Sequence, residues 1–321
     1  MTVRVGGAGL RSELLGAARP QLPPSLIVLC RVPTGSGLGW LCDREPAGRE
    51  QLRLAALLGH LERLQRKAGD ESTWWTLVSL ADAWREHDPP GPAGADVPWD
   101  APASVLCFGS RSDDASAMLV AEPHYFMYDR YRRLRAKTLL LGLPWAWRRR
   151  SAIFAGGDHG RQVGLPDGSS TTPRRLLATV VADRRLPVRV ALHGGTSVAE
   201  QLRYRVILDV DGHARTWEAW AWKLMSGSVV VSQTSDWQTR FTAEFEPRVH
   251  YLPVGEDFVD LADVLEWCQG HWPEARSIAR RARRRARSVY SRDRVESSSE
   301  WRRISPALRP LAKLPADMPP A

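Results

Sequence analysis

The clearest pattern of apolar and polar positions in this chain lies between residues 204 and 254. Residues 204–210 (YRVILDV) form an apolar, β-branched run of strand length that ends on the turn pair Asp211-Gly212. Thr216 can cap a helix running to Met225, in which Trp217, Trp220, Ala221 and Leu224 recur at three-to-four spacing before Gly227 stops it. Residues 228–232 and 249–254 read as two more strands. Strand, glycine turn, helix and strand in succession predict a parallel α/β unit with a right-handed crossover. Such a unit exposes backbone amides at the helix N-terminus, beyond the carboxyl end of the strand, and anionic ligands bind there.

The same reading extends outward. Residues 1–24, with Gly6, Gly7, Pro20, Pro23 and Pro24, are expected to be a poorly ordered lead-in. A strand is predicted over 25–32 and a helix over 49–67 with Leu52, Ala55, Ala56, Leu58, Leu61 and Leu64 on its apolar face. A strand over 74–80 ends near Asp82, and the Pro- and Gly-rich stretch that follows is a loop by composition. A short strand over 103–108 and a basic helix over 128–141 lead to Arg148-Arg149-Arg150, taken as the approach to a second domain. There, a strand over 151–154 empties into Ala155-Gly156-Gly157-Asp158-His159-Gly160-Arg161, a loop that lets a ligand approach the backbone, or an ordinary surface turn. A helix over 173–182, a strand over 188–192 and a helix over 261–268 complete the body. The expected domains are 25–147, 148–270, a basic helix over 271–300 that packs on the body, and a tail over 301–321.

At 321 residues the length suits two domains. No apolar segment is long enough to cross a bilayer and no cleavable signal is evident, so a cytoplasmic protein is expected. Cys30, Cys42, Cys107 and Cys268 lack short paired spacing and read as reduced thiols. The net charge of +9 is concentrated: from Trp272 onward thirteen Arg or Lys face five acidic residues. In the helix starting at Pro273, Ala275, Ile278, Ala279, Ala282, Ala286, Val289 and Tyr290 form a narrow apolar stripe, and arginines cover the rest. The stripe implies packing on the body, while the arginine face suits an anionic membrane surface or a phosphorylated glycolipid. Nucleic acid is not expected as a partner, because the near-neutral body carries no binding motif. The motifs of zincins, serine hydrolases, P-loop enzymes and protein kinases are absent. Asp209-Val210-Asp211, at a strand end, could hold a divalent ion against a diphosphate or could simply open a turn. Most of the fourteen tryptophans should be core, with Trp237 set apart by its polar surroundings (QTSDWQTR).

These residues carry a family resemblance. The strand with Asp211-Gly212, then Trp217, Lys223-Leu224-x-Ser226-Gly227-Ser228, Trp237, and Pro247-x-x-His250-Tyr251-x-Pro253-Val254 followed by Asp260-Leu261 resemble the C-terminal part of glycosyltransferase family ninety. That family includes protein O-glucosyltransferases, capsule-associated xylosyltransferases and lipopolysaccharide-modifying transferases. SLADAW, with Asp82 and Trp84, is similar to the segment of the family's proposed catalytic aspartate, and PWAWRRRSAIFAGGDHGR to its donor-binding glycine loop. Two positions depart: Ala155 and Glu218 stand where many members have arginine, and bacterial members share the acidic residue after tryptophan.

The resemblance implies an α/β chain of GT-B type, with two Rossmann-like domains facing a cleft. It implies an inverting, bacterial-type transferase that moves a sugar from a nucleotide donor, UDP-linked, to a hydroxyl of a cell-surface glycan or lipopolysaccharide. Asp82 would be the general base. Gly156, Gly157, Asp158, Arg161, Gly212, Arg215, Thr216, Trp217, Ser226 and Ser228 would bind the donor, and Trp84 and Trp237 would stack on sugar or acceptor. No cofactor besides the UDP-sugar co-substrate and no divalent metal are expected, since such enzymes hold the leaving diphosphate with helix dipoles and basic side chains. The location implied is cytoplasmic, with a peripheral place at the inner membrane. Two alternatives stay open: a degenerate transferase that binds glycan or nucleotide without chemistry, and a metal-dependent Asp-x-Asp transferase.

Overall fold

The computed structural model describes residues 3–5, 10, 14, 26–34, 37–82, 104–165, 167–215 and 218–311. The chain forms two compact units, residues 1–123 with 292–321, and residues 124–291.

The first unit is built on a mixed sheet, with strands in the order Val3–Val5, Gly37–Cys42, Leu26–Thr34, Trp74–Ser79, Val105–Cys107 and Ala117–Leu119. Where a Rossmann-like arrangement is expected, its three central strands pair antiparallel, and the outer pairs are parallel. The hairpin strand Gly37–Cys42 is absent from the pattern reading, because its glycines dilute the apolar alternation. The helix Arg49–Ala68 forms as expected and ends on Gly69, whose φ of 66° is the left-handed conformation of a C-cap. Its buried face, however, is Leu54, Leu57, Leu58, Leu61 and Leu64, while Leu52 is exposed. A leucine-rich helix offers two overlapping stripes, and the sheet decides which one is covered.

The stretch expected as a tail is part of this unit. Arg309–Pro310 pairs antiparallel with Trp74 and Trp75, and Trp301 is buried against Trp74, with ring centroids 6.3 Å apart. The Trp301 indole N–H donates to Asp70 Oδ2 at 2.9 Å, and Arg63 reaches the buried Glu296 at 3.1 Å. The domain boundary accordingly falls at Pro123 rather than 147, and residues from 292 onward rejoin the first unit.

The second unit has one fully parallel sheet of five strands: β1 (Arg149–Ala155), β2 (Val188–Ala191), β3 (Tyr204–Asp209), β4 (Val229–Gln233) and β5 (Leu252–Val254). Their spatial order is β2-β1-β3-β4-β5. The central strands β3 and β4 are buried along their whole length, as expected of strands covered on both faces, while the edge strand β2 is only partly covered. The main helices are α1 (Arg132–Leu141), α2 (Pro173–Asp183), α3 (Ala219–Met225), α4 (Leu261–Gly270) and α5 (Trp272–Val289). Thr172 caps α2 by accepting from the Arg175 amide, and Pro173 occupies its first turn. The small-residue stripe of α5 is buried as predicted.

One expected helix is broken. Residues 128–141 read as a single helix, yet Asp129, Arg130 and Tyr131 all have φ between 49° and 59° before α1 begins. Consecutive left-handed residues are costly. The compensation is tertiary: the buried Tyr131 ring meets Tyr125 at 5.4 Å and Tyr290 at 5.1 Å, edge to face, in a cluster completed by Phe241. Among the described residues no helix is long and apolar enough to cross a membrane.

Replacing Trp301 by Ala removes the anchor of the returning segment. The first unit should lose about 3–5 kcal/mol in urea unfolding, the range for deleting a large buried aromatic.

Candidate functional site

The order β2-β1-β3-β4-β5 reverses direction between β1 and β3, and ligands of open parallel sheets bind beyond the carboxyl ends of the strands at such a switch point. Here the loop after β1 and the loop after β3 meet. The Arg161 amide donates to the Gly212 carbonyl at 3.1 Å, and a Cβ on Gly160 would lie 3.0 Å from that oxygen. The first loop is also tied to β2, the Gly156 amide donating to the Ala191 carbonyl at 3.0 Å. His159 and His213 bring their rings to 6.0 Å across the junction.

Beneath the junction lies a buried charge cluster. Lys223, from α3, donates to Asp209 Oδ1 at 2.7 Å. Arg215 reaches Asp211 Oδ1 at 3.0 Å, lies 3.9 Å from Asp209 Oδ2, and also donates to the Gln233 carbonyl. Asp211 additionally accepts from the Ser235 hydroxyl, and its amide donates to Gln233 Oε1 at 3.2 Å. Burial alone would raise the Asp209 carboxyl, but Lys223, Arg215 and Arg174 overcome it and hold the group below the usual carboxylate range. Burial is less fully offset at Lys223, which is drawn down because it meets one carboxylate and two repelling guanidiniums.

Arg174, at the start of α2, is the residue that pattern reading missed. Its Nη1 donates to the Gly157 carbonyl at 2.9 Å, its Nη2 would lie 2.9 Å from a Cβ on Gly212, and its Nε is buried with no hydrogen-bond partner among the described residues. Burial lowers its affinity for the proton, with Asp209 and Asp211 opposing. Three cations thus converge on two carboxylates, and the excess charge sits at Arg174, between the two glycine loops. The sequence carried one signal for it, a helix start. Thr172 followed by Pro173 marks the N-terminus of the first crossover helix, whose opening turn in this topology lies at the carboxyl edge.

The other predicted site residues separate into groups. Gly156, Gly157, Asp158, Arg161 and Gly212 lie at the junction. Asp158 is held by a two-pronged bond from Arg175, with Nη2 to Oδ2 at 2.7 Å, and Arg161 faces Glu256 at 3.5 Å. Arg215 is at the junction too, with its guanidinium committed to Asp211 and Asp209. Thr216 and Trp217 lie outside the described residues, as does Trp84.

Ser226 and Ser228 are not at this edge. They precede β4 and therefore stand at the amino end of the parallel sheet, where the Ser228 hydroxyl donates to the Tyr204 carbonyl at 2.7 Å and accepts from Arg148 at 2.7 Å. Ser226 accepts from the Ser228 amide at 2.9 Å, and both serines are fully buried. Their hydrogen bonds close the turn after α3, at the end of the sheet opposite the switch point. Trp237 is likewise corrected: it is buried at 7% exposure and offers no open face for stacking. In the first unit, Asp82 follows the strand Trp74–Ser79 and is paired with Arg53, whose other nitrogen donates to the Leu80 carbonyl at 2.6 Å.

The second unit is thus a parallel α/β domain with a cation-rich switch point. Residues 141–297 of the chain match the family model Glycosyl transferase family 90, in agreement with the resemblance read from the motifs. Protein O-glucosyltransferase 2 of Danio rerio is 31% identical over 93 residues, which cover 29% of this chain and 18% of the relative. Uncharacterized protein 179R of Invertebrate iridescent virus 6 is 22% identical over 192 residues, 47% of this chain and 16% of the viral protein. The chain thus spans less than a fifth of the length of these curated relatives. Among solved structures, a sucrose-phosphate synthase from Thermosynechococcus elongatus aligns with a TM-score of 0.34 at 14% identity, covering 60% of this chain and 55% of its own. Anabaena Alr3699/HepE in complex with UDP-glucose aligns at 0.31 and 15%, covering 53% and 43%. Both structural likenesses are remote.

Replacing Lys223 by Met strands the buried Asp209 carboxylate, and the second unit should lose about 3–5 kcal/mol in denaturant unfolding. Because the folded-state pKa of Asp209 is depressed, its contribution is present above the ordinary carboxylate range and disappears as pH falls through it. Asp209→Asn should therefore flatten the decline of stability below about pH 4, as measured by unfolding across pH.

Proposed function

We propose that the chain is an inverting glycosyltransferase of GT-B type, using a nucleotide sugar, UDP-linked, as donor. The single observation that carries the donor half is the incompletely compensated Arg174 guanidinium between the loops of Gly157 and Gly212. A diphosphate seated there would receive the Arg174 charge, backbone amides of the glycine loop and the N-terminal turn of α2. These groups would stabilise the negative charge that grows on the departing diphosphate. On this reading no divalent ion is required, since Asp209 and Asp211 are already neutralised by Lys223 and Arg215 and are poorly disposed to coordinate one.

Asp82 is assigned as general base. It would take the proton of the acceptor hydroxyl while that oxygen attacks the anomeric carbon and the bond from that carbon to the diphosphate oxygen breaks. Arg53 fixes the carboxylate direction. The acceptor on this proposal is a glycan or lipopolysaccharide precursor of a cell surface, reached from the cytoplasmic side, and the enzyme is of bacterial type. Nucleic acid has no part in it.

A degenerate, non-catalytic binder is the second reading. It is favoured by Ala155, which leaves one position of the family pattern without arginine, and by the commitment of Arg215 to internal carboxylates. A thermal-shift series with UDP-, GDP- and ADP-sugars separates the readings, because a ligand that binds the native state raises its stability by mass action. Stabilisation by none of them supports loss of the donor site.

Arg174→Ala should weaken UDP binding by about tenfold or more in calorimetric titration, the scale of a lost charge-assisted hydrogen bond; an unchanged Kd removes Arg174 from the donor site. Asp82→Asn should lower transfer by about 10²–10⁴-fold while leaving the UDP Kd intact. Undiminished turnover would exclude Asp82 as the base.

A further inference from the structure

A second surface of the 124–291 unit, away from the carboxyl edge of its sheet, combines exposed apolar groups with a concentration of arginines. At the end of α1, Leu140 is 83% exposed, and Trp147, in the short turn that follows, is 75% exposed. Leu139 and Leu141 beside them are 46% and 42% exposed. Large aliphatic groups clustered in water at one end of a helix mark a surface that another phase or molecule covers. From Arg130 to Arg150 the sequence contains no acidic residue, and from Ala275 to Ser291 again none. Asp129 pairs with Arg130 and Arg132, and Glu244 with Arg285, so three of these cations are answered from outside the two stretches while the rest keep them strongly basic.

The two stretches meet in space. Arg148 fastens the turn after α1 to the body, donating to the Leu143 carbonyl at 2.9 Å and the Ser226 carbonyl at 3.0 Å. Arg283 of α5 arrives at the same place: a Cβ on Gly227 would lie 3.7 Å from guanidinium nitrogens of both Arg148 and Arg283. The Arg148 guanidinium is pushed down to about 10 by burial and by Arg283, and Arg283 is itself lowered by burial and then by Arg287 of α5 and Arg135 of α1. These are cations sharing one field. Beyond them, Arg276, Arg280, Arg284 and Arg287 stand exposed on α5, at spacings of four, four and three that keep them along one side of the helix.

We infer that this face docks on an anionic lipid bilayer, with Leu139, Leu140, Leu141 and Trp147 entering the interface and the arginines of α1 and α5 lying over the headgroups. The chemistry of the surface selects that occupant. Aliphatic insertion with a tryptophan at the boundary and arginines around it is how amphipathic surfaces hold to membranes, and each basic residue adds attraction to an anionic leaflet. A second copy of the chain is disfavoured, because a two-fold interface would set these arginine-rich surfaces against each other. A nucleic acid would satisfy the arginines and leave the leucines in water. The inference stands independently of the donor site.

The test is co-sedimentation of the full chain with vesicles of phosphatidylcholine alone and with about 30 mol % phosphatidylglycerol, at low and high salt. The expected result is partition at least about tenfold stronger onto the anionic vesicles, weakened by salt. Leu140→Glu with Trp147→Ser should lower that partition by about tenfold or more, and Arg280→Ser with Arg284→Ser should remove most of the preference for anionic lipid. All four positions are exposed, so unchanged thermal unfolding checks that the variants fold, and unchanged UDP binding checks that the donor site is untouched. Equal partition of variants and parent overturns the inference. So does an oligomer that Leu140→Glu dissociates, or a duplex RNA shifted in a gel, when the vesicles recover no protein.

Discussion

The buried pairing of Asp209 with Lys223 is the constraint on which the second unit turns. A carboxylate at the end of a central strand and an ammonium on the helix packed against it can both stay charged without water only if each is answered at close range, and the 2.7 Å contact answers both. Arg215 and Asp211 extend the pairing across the loop after β3, which fixes the path of Asp211-Gly212 over the sheet edge. With that loop held, Gly212 offers its carbonyl to the Arg161 amide, the loop after β1 is drawn against it, and Arg174 is lodged between them. Two carboxylates and two cations therefore underlie the junction, and the fifth charge, Arg174, lies between its two loops.

The two edges of the parallel sheet are put to different uses for a geometric reason. Every strand of β1–β5 points the same way, so the loops that follow strands gather at one edge and those that precede them gather at the other. Glycines and the Arg174 guanidinium collect at the carboxyl edge. At the amino edge, Arg148, Ser226 and Ser228 lock the start of β4 to the start of β3, and the arginines of α1 and α5 lie near that lock. Residues adjacent in a sequence motif, such as Lys223 and Ser226, thus serve opposite ends of the domain: the lysine reaches forward to Asp209, while the serine closes the turn behind.

How much was readable follows from range. The helices Arg49–Ala68, Pro173–Asp183 and Trp272–Val289 and the strands β1 to β4 follow from periodicity, capping and β-branched runs, all of which act within a few residues. The left-handed break at Asp129–Tyr131 does not, because its compensation comes from Tyr290 and Phe241, which are distant in sequence. The antiparallel centre of the first sheet and the return of Trp301 to it were hidden for the same reason. At the site, Gly156, Gly157 and Gly212 were legible as loops that follow strands. Arg215 was legible as a nearby charge, yet whether a charge is free or spent depends on neighbours that pattern does not name.

By itself, then, the sequence determined a mostly parallel α/β second unit, the glycine loops at its strand ends, the apolar stripe under the arginines of α5, and a motif set that the family match over residues 141–297 bears out. These are consequences of local propensity and of the order of elements along the chain. Only the tertiary structure decided that strand order switches between β1 and β3, that Asp209 and Asp211 are saturated by Lys223 and Arg215, and that Arg174 carries the remaining charge. Ion pairing and burial depend on which elements become neighbours, and residues 174, 209, 215 and 223 become neighbours only when strands from separate parts of the chain enter one sheet.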